Sequence, residues 1–434
     1  MAQKKVLIIT YYWPPGGGAG VQRWLKFTKY LPAFGWSPVI YTPLNGEMPV
    51  NDPSLEADVP AGIEIIRRPI WEPYSLYKKF IGAGSEDKIN TGFLSEKEKP
   101  GIAEKISVWL RGNLFIPDAR CFWIKPSVKY LLSYLQKHPV DAIVSTGPPH
   151  SMHLIALQIA RKTGIPWLAD FRDPWTNIDY YKDLMLTGSS DRKHHRLEKS
   201  VVTGANSVVV IGKTMQQEFE KISGRKVEVI TNGYDTDDIP DLNTPRPAKF
   251  TLSHIGTLVK TRNPEALWNA LAALVKQNPE FAAALEVNLT GKVDISVRNA
   301  VKAAGLESYT VYTEYVHHNR IAAAQQRAVI LLLVLNNTPN ARGILTGKLF
   351  EYIAARRQIL CIGPTDGDAA GLLNETGSGH CFNFTDEKGI SAYLNECFFN
   401  WKAGKSTSPS GAIEQYSRKE LTGKLAAVLE SIAK

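Results

Sequence analysis

The chain has 434 residues, 44% of them hydrophobic and 21% charged, with a formal net charge of +9. That length exceeds what one hydrophobic core organises, so two domains of roughly 200 residues are expected, and the composition is that of a globular protein. The excess positive charge is spread along the chain without a basic stripe, which argues against a nucleic-acid partner and for a phosphate-bearing small molecule.

The longest apolar run, residues 328–335, is far short of the ~20 residues that a membrane-spanning helix needs. The N-terminal apolar stretch at 6–9 is likewise too brief for the core of a signal peptide, so a cytoplasmic location is expected. Four cysteines, Cys121, Cys361, Cys381 and Cys397, lack the paired spacing that holds zinc and read as reduced thiols.

Residues 5–10 read as a buried strand ended by Pro14, Pro15 and the glycines from Gly16 to Gly18. Val21, Trp24, Leu25 and Thr28 then fall at helical spacing, Gly35 closes that helix, and 37–42 form the next strand, a unit typical of parallel α/β sheets. Further strands are expected at 141–145, 166–170, 207–211 and 227–231. The intervening segment 67–125 holds nine aromatics and eleven Lys or Arg against seven acidic residues. It reads as an insertion packed on its own sheet or as a contact with a membrane or lipid-linked acceptor; its helix candidate, 103–115, places Ile106, Trp109 and Leu110 on one side.

The stretch 235–249, with four aspartates, three prolines and few apolar residues, reads as an interdomain linker, and its part 241–249 separates a first domain, 1–240, from a second, 250–434. In the second, strands are expected at 251–255, 286–289, 310–312, 329–335 and 359–362, with helices such as 264–276 between them. The last helix is a candidate to return to the first domain.

The strongest local signal lies after the fourth of these strands. A helix starting near Gly347 would aim free N–H groups and the positive end of its dipole at an anion, and Gly347 would let a phosphate approach the backbone. Thr346 precedes that helix, Lys348 adds a mobile charge, and Glu351 lies one turn on, where a carboxylate could accept both hydroxyls of a ribose. An ordinary Lys348–Glu351 surface pair is the bland alternative. The stretch is not a P-loop, because Leu349 stands where Ser or Thr would hold magnesium. Nor does the first glycine cluster fit a dinucleotide fingerprint, since Val21 occupies the place of its last glycine. Gly17 and Gly18 remain as a loop able to approach a ligand.

These motifs, in this order, resemble family-4-type retaining glycosyltransferases of the GT-B fold over nearly the whole chain. The resemblance rests on Pro14-Pro15-Gly16-Gly17-Gly18, on Thr231-Asn232-Gly233-Tyr234-Asp235, on Ile255-Gly256-Thr257 followed by Arg262, and on Gly347-Lys348-Leu349-Phe350-Glu351-Tyr352. It implies two Rossmann-like parallel-sheet domains facing a central cleft. A UDP- or GDP-sugar would be held mainly by the second domain, through Gly256, Thr257, Arg262, Thr346, Gly347, Lys348, Leu349 and Glu351, and the acceptor would enter from the first. It also implies transfer with retention, no cofactor, and a part in building surface polysaccharide or glycoconjugate, with peripheral contact to the inner face of a membrane.

The chain departs from the family pattern at three places. Gly343 stands where many members carry a first glutamate, Thr257 where an arginine is frequent, and Leu168-Ala-Asp-Phe-Arg-Asp-Pro-Trp175 carries no catalytic-loop histidine. Asp170, Arg172 and Asp173 follow an apolar strand at its carboxyl end, where open α/β sheets bind ligands, and are the candidates for acceptor contact or leaving-group neutralisation. His150, at the end of another strand, is a candidate to orient an acceptor hydroxyl. The Asp-x-Asp pairs, Asp235/Asp237 and Asp366/Asp368, read as solvated loop carboxylates and not as metal ligands. A nucleotide-sugar epimerase and a noncatalytic nucleotide-sugar-binding subunit are the alternatives to a transferase.

Overall fold

The computed structural model describes residues 3–48, 50–73, 102–239, 247–314, 318–405 and 411–433. The chain divides into two units, the first made of residues 1–231 and 418–434, the second of 232–417. Most of the expected linker and the middle of the 67–125 segment lie outside the described residues.

Among its described residues the first unit carries seven strands: β1 (Lys4–Ile9), β2 (Trp36–Pro43), β3 (Glu64–Arg68), β4 (Ala142–Gly147), β5 (Trp167–Phe171), β6 (Ser207–Val210) and β7 (Glu228–Val229). They form one sheet in the order β3-β2-β1-β4-β5-β6-β7, every pair parallel. Its helices are α1 (Ala19–Tyr30), α2 (Ile102–Leu114), α3 (Cys121–Lys137), α4 (Ser151–Thr163), α5 (Gly188–Gly204) and α6 (Lys213–Ser223). β4 and β5 are buried at every residue, as strands covered on both faces must be.

The second unit pairs its strands in the order β10-β9-β8-β11-β12-β13, again all parallel. These are β8 (Phe250–Ile255), β9 (Leu285–Thr290), β10 (Thr310–Thr313), β11 (Ile330–Val334), β12 (Gln358–Ile362) and β13 (Gly379–Phe382). Among the described residues seven helices accompany them: α7 (Glu265–Gln277), α8 (Pro279–Ala284), α9 (Ile295–Ala303), α10 (His318–Gln326), α11 (Gly347–Ala354), α12 (Asp368–Thr376) and α13 (Glu387–Lys402). A final helix, α14 (Arg418–Ile432), belongs to the first unit, where Leu421, Leu425 and Leu429 join the core formed by Val21, Trp24 and Leu25 of α1.

In each sheet the strand order reverses once, between β1 and β4 and between β8 and β11. The loops leaving the carboxyl ends of those four strands therefore splay apart and leave room for a ligand. Two strands were not expected from the sequence, β3 and β13; both are short, and β3 carries Glu64, Arg67 and Arg68 at the sheet's edge. α2 covers the expected 103–115 helix, but Ile106 and Trp109 are exposed rather than packed on the sheet.

Candidate functional site

In the second unit the reversal point gathers the end of β8, the loop after β11 and the start of α11. Gly256 follows β8 at φ 130°, a conformation that side chains rarely adopt, and Lys348 lies so close that a Cβ at this position would strike its Nζ. The glycine is thus required twice, by its backbone and by the lysine lying over it. Gly256 N–H donates to the Thr290 carbonyl at 2.7 Å, and Tyr352 of α11 accepts the Ile255 N–H at 3.0 Å, so the strand end and the helix are held together.

Lys348 is half-buried, and that burial lowers its pKa to about 8; Arg262 pushes the same way and Glu351 opposes. Two cations therefore share one site with the free N–H groups of the α11 N-terminus, a combination that favours an anion. Arg262 is oriented by Asn336, whose Oδ1 accepts from Nε at 2.6 Å. Thr346 caps α11 without a side-chain cap bond, and its Oγ1 is buried with no partner. Glu351 is exposed, one turn along, with Oε2 accepting from Gln325 Nε2 at 3.3 Å. Thr257 follows Gly256 and is half-buried. Leu349 differs from its neighbours: the side chain is fully buried in the core and its N–H goes to the Thr346 carbonyl.

In the first unit Asp170 has its carboxylate occupied. Arg23 Nη2 donates at 2.7 Å, Trp24 Nε1 at 2.7 Å and Thr146 Oγ1 at 2.9 Å, while Arg23 also reaches the Ile230 and Thr231 carbonyls. Burial alone would raise the Asp170 pKa; the Arg23 charge and these bonds overcome it and hold the carboxyl below its usual range. Asp170 is a buried anchor of α1 on the sheet. Arg172 is also buried, donating to the Pro148 carbonyl, lying over the Tyr12 ring at 5.6 Å, and leaving Nε without a partner. Asp173 is exposed.

Gly17 and Gly18 close the loop after β1. The Gly17 N–H donates to the Val50 carbonyl at 2.9 Å, and a Cβ there would meet Asp52; Gly18 stands in open space at φ 91° and starts α1. His150 precedes α4, stacks face to face on Trp175 at 4.4 Å, and has a buried Nδ1 with no partner. Burial holds its pKa well below the usual range, with His153, His194 and Arg172 adding to the effect.

Among the described residues no group of three or more His, Cys, Asp or Glu is arranged to hold a metal ion. Asp235 caps a short turn through the Asp237 N–H, and Asp366 pairs with Arg342 at 3.0 Å. Sequence reasoning did not single out Gln325, Asn336, Trp175 or His194. Each reaches its partner from a different element, and no spacing announces such a meeting.

Residues 93–238 match the model of Glycosyltransferase Family 4. That stretch is about a third of the chain, and the chain as a whole has the GT-B fold. No curated protein matches its sequence. Among solved structures, the chain is similar in fold to WaaG, a glycosyltransferase involved in lipopolysaccharide biosynthesis, at 13% identity and TM-score 0.55, covering 98% of this chain and 99% of that one. It is similar to Anabaena HepE in complex with UDP-glucose at 12% identity and TM-score 0.52, over 100% and 96% of the two chains. A putative UDP-N-acetylglucosamine 2-epimerase from Listeria monocytogenes matches at 9% identity and TM-score 0.55, over 99% and 96%. At such identities these likenesses speak for the fold, and no helix of the described residues is long and apolar enough to cross a membrane.

Proposed function

We propose that this chain is a glycosyltransferase that takes its sugar from a nucleotide diphosphate sugar held by the second unit, with UDP or GDP as the nucleotide. The observation that carries the reading is Lys348 lying against Gly256 at the N-terminus of α11, beside Arg262. The diphosphate would sit on that N-terminus, with Gly347 leaving its approach open, and Glu351 would accept the ribose hydroxyls. As the sugar leaves, Lys348 and Arg262 neutralise the charge that develops on the diphosphate, so no metal is required. The fold neighbour solved with UDP-glucose is in keeping with such a donor.

On this reading Arg172, Asp173 and His150 serve the acceptor in the first unit, and Asp170, held by Arg23 and Thr146, fixes the end of β5 from which Arg172 and Asp173 continue. The product keeps the donor's anomeric configuration and is a surface polysaccharide or glycoconjugate. The exposed side chains of Trp71, Ile106, Trp109 and Phe122, in a segment rich in cations, favour a lipid-linked acceptor reached by peripheral contact with a membrane.

An epimerase remains as a second reading because one fold neighbour is a putative 2-epimerase. Incubation with UDP- and GDP-sugars, with and without sugar acceptors, separates the two. Transfer requires an acceptor and yields a linkage whose anomer NMR reads directly. A new free nucleotide sugar formed from donor alone would establish the epimerase, and an inverted linkage would overturn retention.

A further inference from the structure

β12 and β13 are neighbours in the second unit's sheet, with β13 at its edge, and their register sets Cys361 directly opposite Cys381. Residues opposed in register on neighbouring strands point to the same face of a sheet. Leu360 and Ile362, on either side of Cys361, enter the core together with Cys397, so the two opposed thiols lie on the other face. Neighbouring strands stand ~4.8 Å apart, inside the roughly 4.4–6.8 Å between Cα atoms that a disulfide spans. Cys361 is fully buried, whereas Cys381 is half-buried and donates its S–H to the Pro364 carbonyl at 3.6 Å. A hydrogen bond with Cys381, together with burial, pushes the Cys361 thiol well above the usual thiol range, so Cys361 stays protonated beside its neighbour.

From this pairing we propose that Cys361 and Cys381 form a modification site, a dithiol that hydrogen peroxide oxidises to a disulfide bridging β12 and β13. Cys381, the accessible partner, loses its proton to water and attacks one peroxide oxygen; the O–O bond breaks, Cys381 becomes a sulfenic acid, and the other oxygen leaves as hydroxide. The Cys361 sulfur then attacks the Cys381 sulfur, the S–O bond breaks, and the departing hydroxide takes the Cys361 proton to form water. Two electrons pass from the thiols to the peroxide, which is the one co-reactant required. A structural zinc ion would compete for such a pair, but it takes four ligands, and among the described residues no group of three or more His, Cys, Asp or Glu is arranged to hold a metal. Cys397 on α13 and Cys121 on α3 do not share the register and serve as internal controls. The site stands whether or not the donor reading holds.

The test treats the folded full chain with hydrogen peroxide, quenches it, alkylates the remaining thiols in urea and maps the peptides by mass spectrometry without reduction. The four thiols of the chain should fall by two, with a Cys361–Cys381 linked peptide that dithiothreitol releases. In Cys361→Ala the oxidation should stop at the Cys381 sulfenic acid, which dimedone traps, and no linked peptide should form. Cys381→Ser should leave Cys361 reduced. Thermal unfolding reports whether each variant is folded; the serine variant, altered at the half-buried position, decides the matter if the alanine variant does not fold. Oxidation of Cys381 to the sulfinic acid with Cys361 still reduced would overturn the proposal. So would a bridge to Cys121 or Cys397 instead, a bridge that forms only when peroxide is added in urea, or no loss of thiols at all.

Discussion

Burial of Lys348 sets a pH dependence on the proposed donor site. A lysine lowered to about 8 is charged below that pH and neutral above it, and a bound diphosphate favours the charged form, so binding takes up a proton on the alkaline side. UDP affinity should hold near pH 7 and fall above about 8, by at most roughly tenfold per pH unit for one proton. In Lys348→Met the affinity should be lower throughout and its alkaline slope gone. An unchanged slope in that variant, read by titration across pH 7 to about 9.5, would remove the lysine from the phosphate site. Asp170 makes a contrasting residue-scale prediction. Its carboxylate, buried with Arg23, should act on folding: Asp170→Asn leaves the guanidinium without its counter-charge and should cost about 3–5 kcal/mol in urea denaturation. Because its pKa is depressed, the stabilisation is complete above the unfolded carboxylate value near 3.9 and is lost as pH falls through the folded value. Acid titration of wild type and variant should therefore converge. A variant as stable as wild type at neutral pH would contradict the anchoring role.

At the scale of elements, what could be read from the sequence depended on whether partners were near in the chain. The strands at the sheet centres announced themselves as continuous apolar runs, and α11 did so by the spacing of Gly347, Lys348 and Glu351. β3 was illegible because Glu64, Arg67 and Arg68 break its apolar character at an edge, where water tolerates them. Asp170 was read as a ligand-facing carboxylate because its strand position suits one. Its engagement depends on Arg23, 147 positions away, and nothing local signals that meeting. α14 was expected as a helix returning to the first domain, and it does so, but which residues it meets there, those of α1, was not signalled locally. Leu425, 1% exposed among the α1 side chains, should lose about 2–5 kcal/mol of stability on truncation to alanine. Thermal or urea unfolding of Leu425→Ala checks this; a loss under about 0.5 kcal/mol, typical of a surface position, would mean that the helix does not seal the first unit.

For the whole molecule, the two sheets repeat one device: a strand order that reverses once and brings glycine-bearing loops to the reversal point. The device makes ligand sites without choosing their chemistry, so the donor assignment stands on Lys348, Arg262 and Glu351 rather than on the architecture. The measurement that tests it most directly is calorimetric titration of UDP and GDP, each beside its nucleoside, into wild type, Lys348→Ala and Glu351→Gln. Lys348→Ala should weaken the diphosphate and spare the nucleoside, because its proposed partner is phosphate. Glu351→Gln should weaken both alike, by about one to two powers of ten for a lost hydrogen bond to a charged group. Unchanged diphosphate and nucleoside binding in both variants, with the fold intact, would show that the Gly347–Glu351 turn of α11 is structural only and that the donor lies elsewhere.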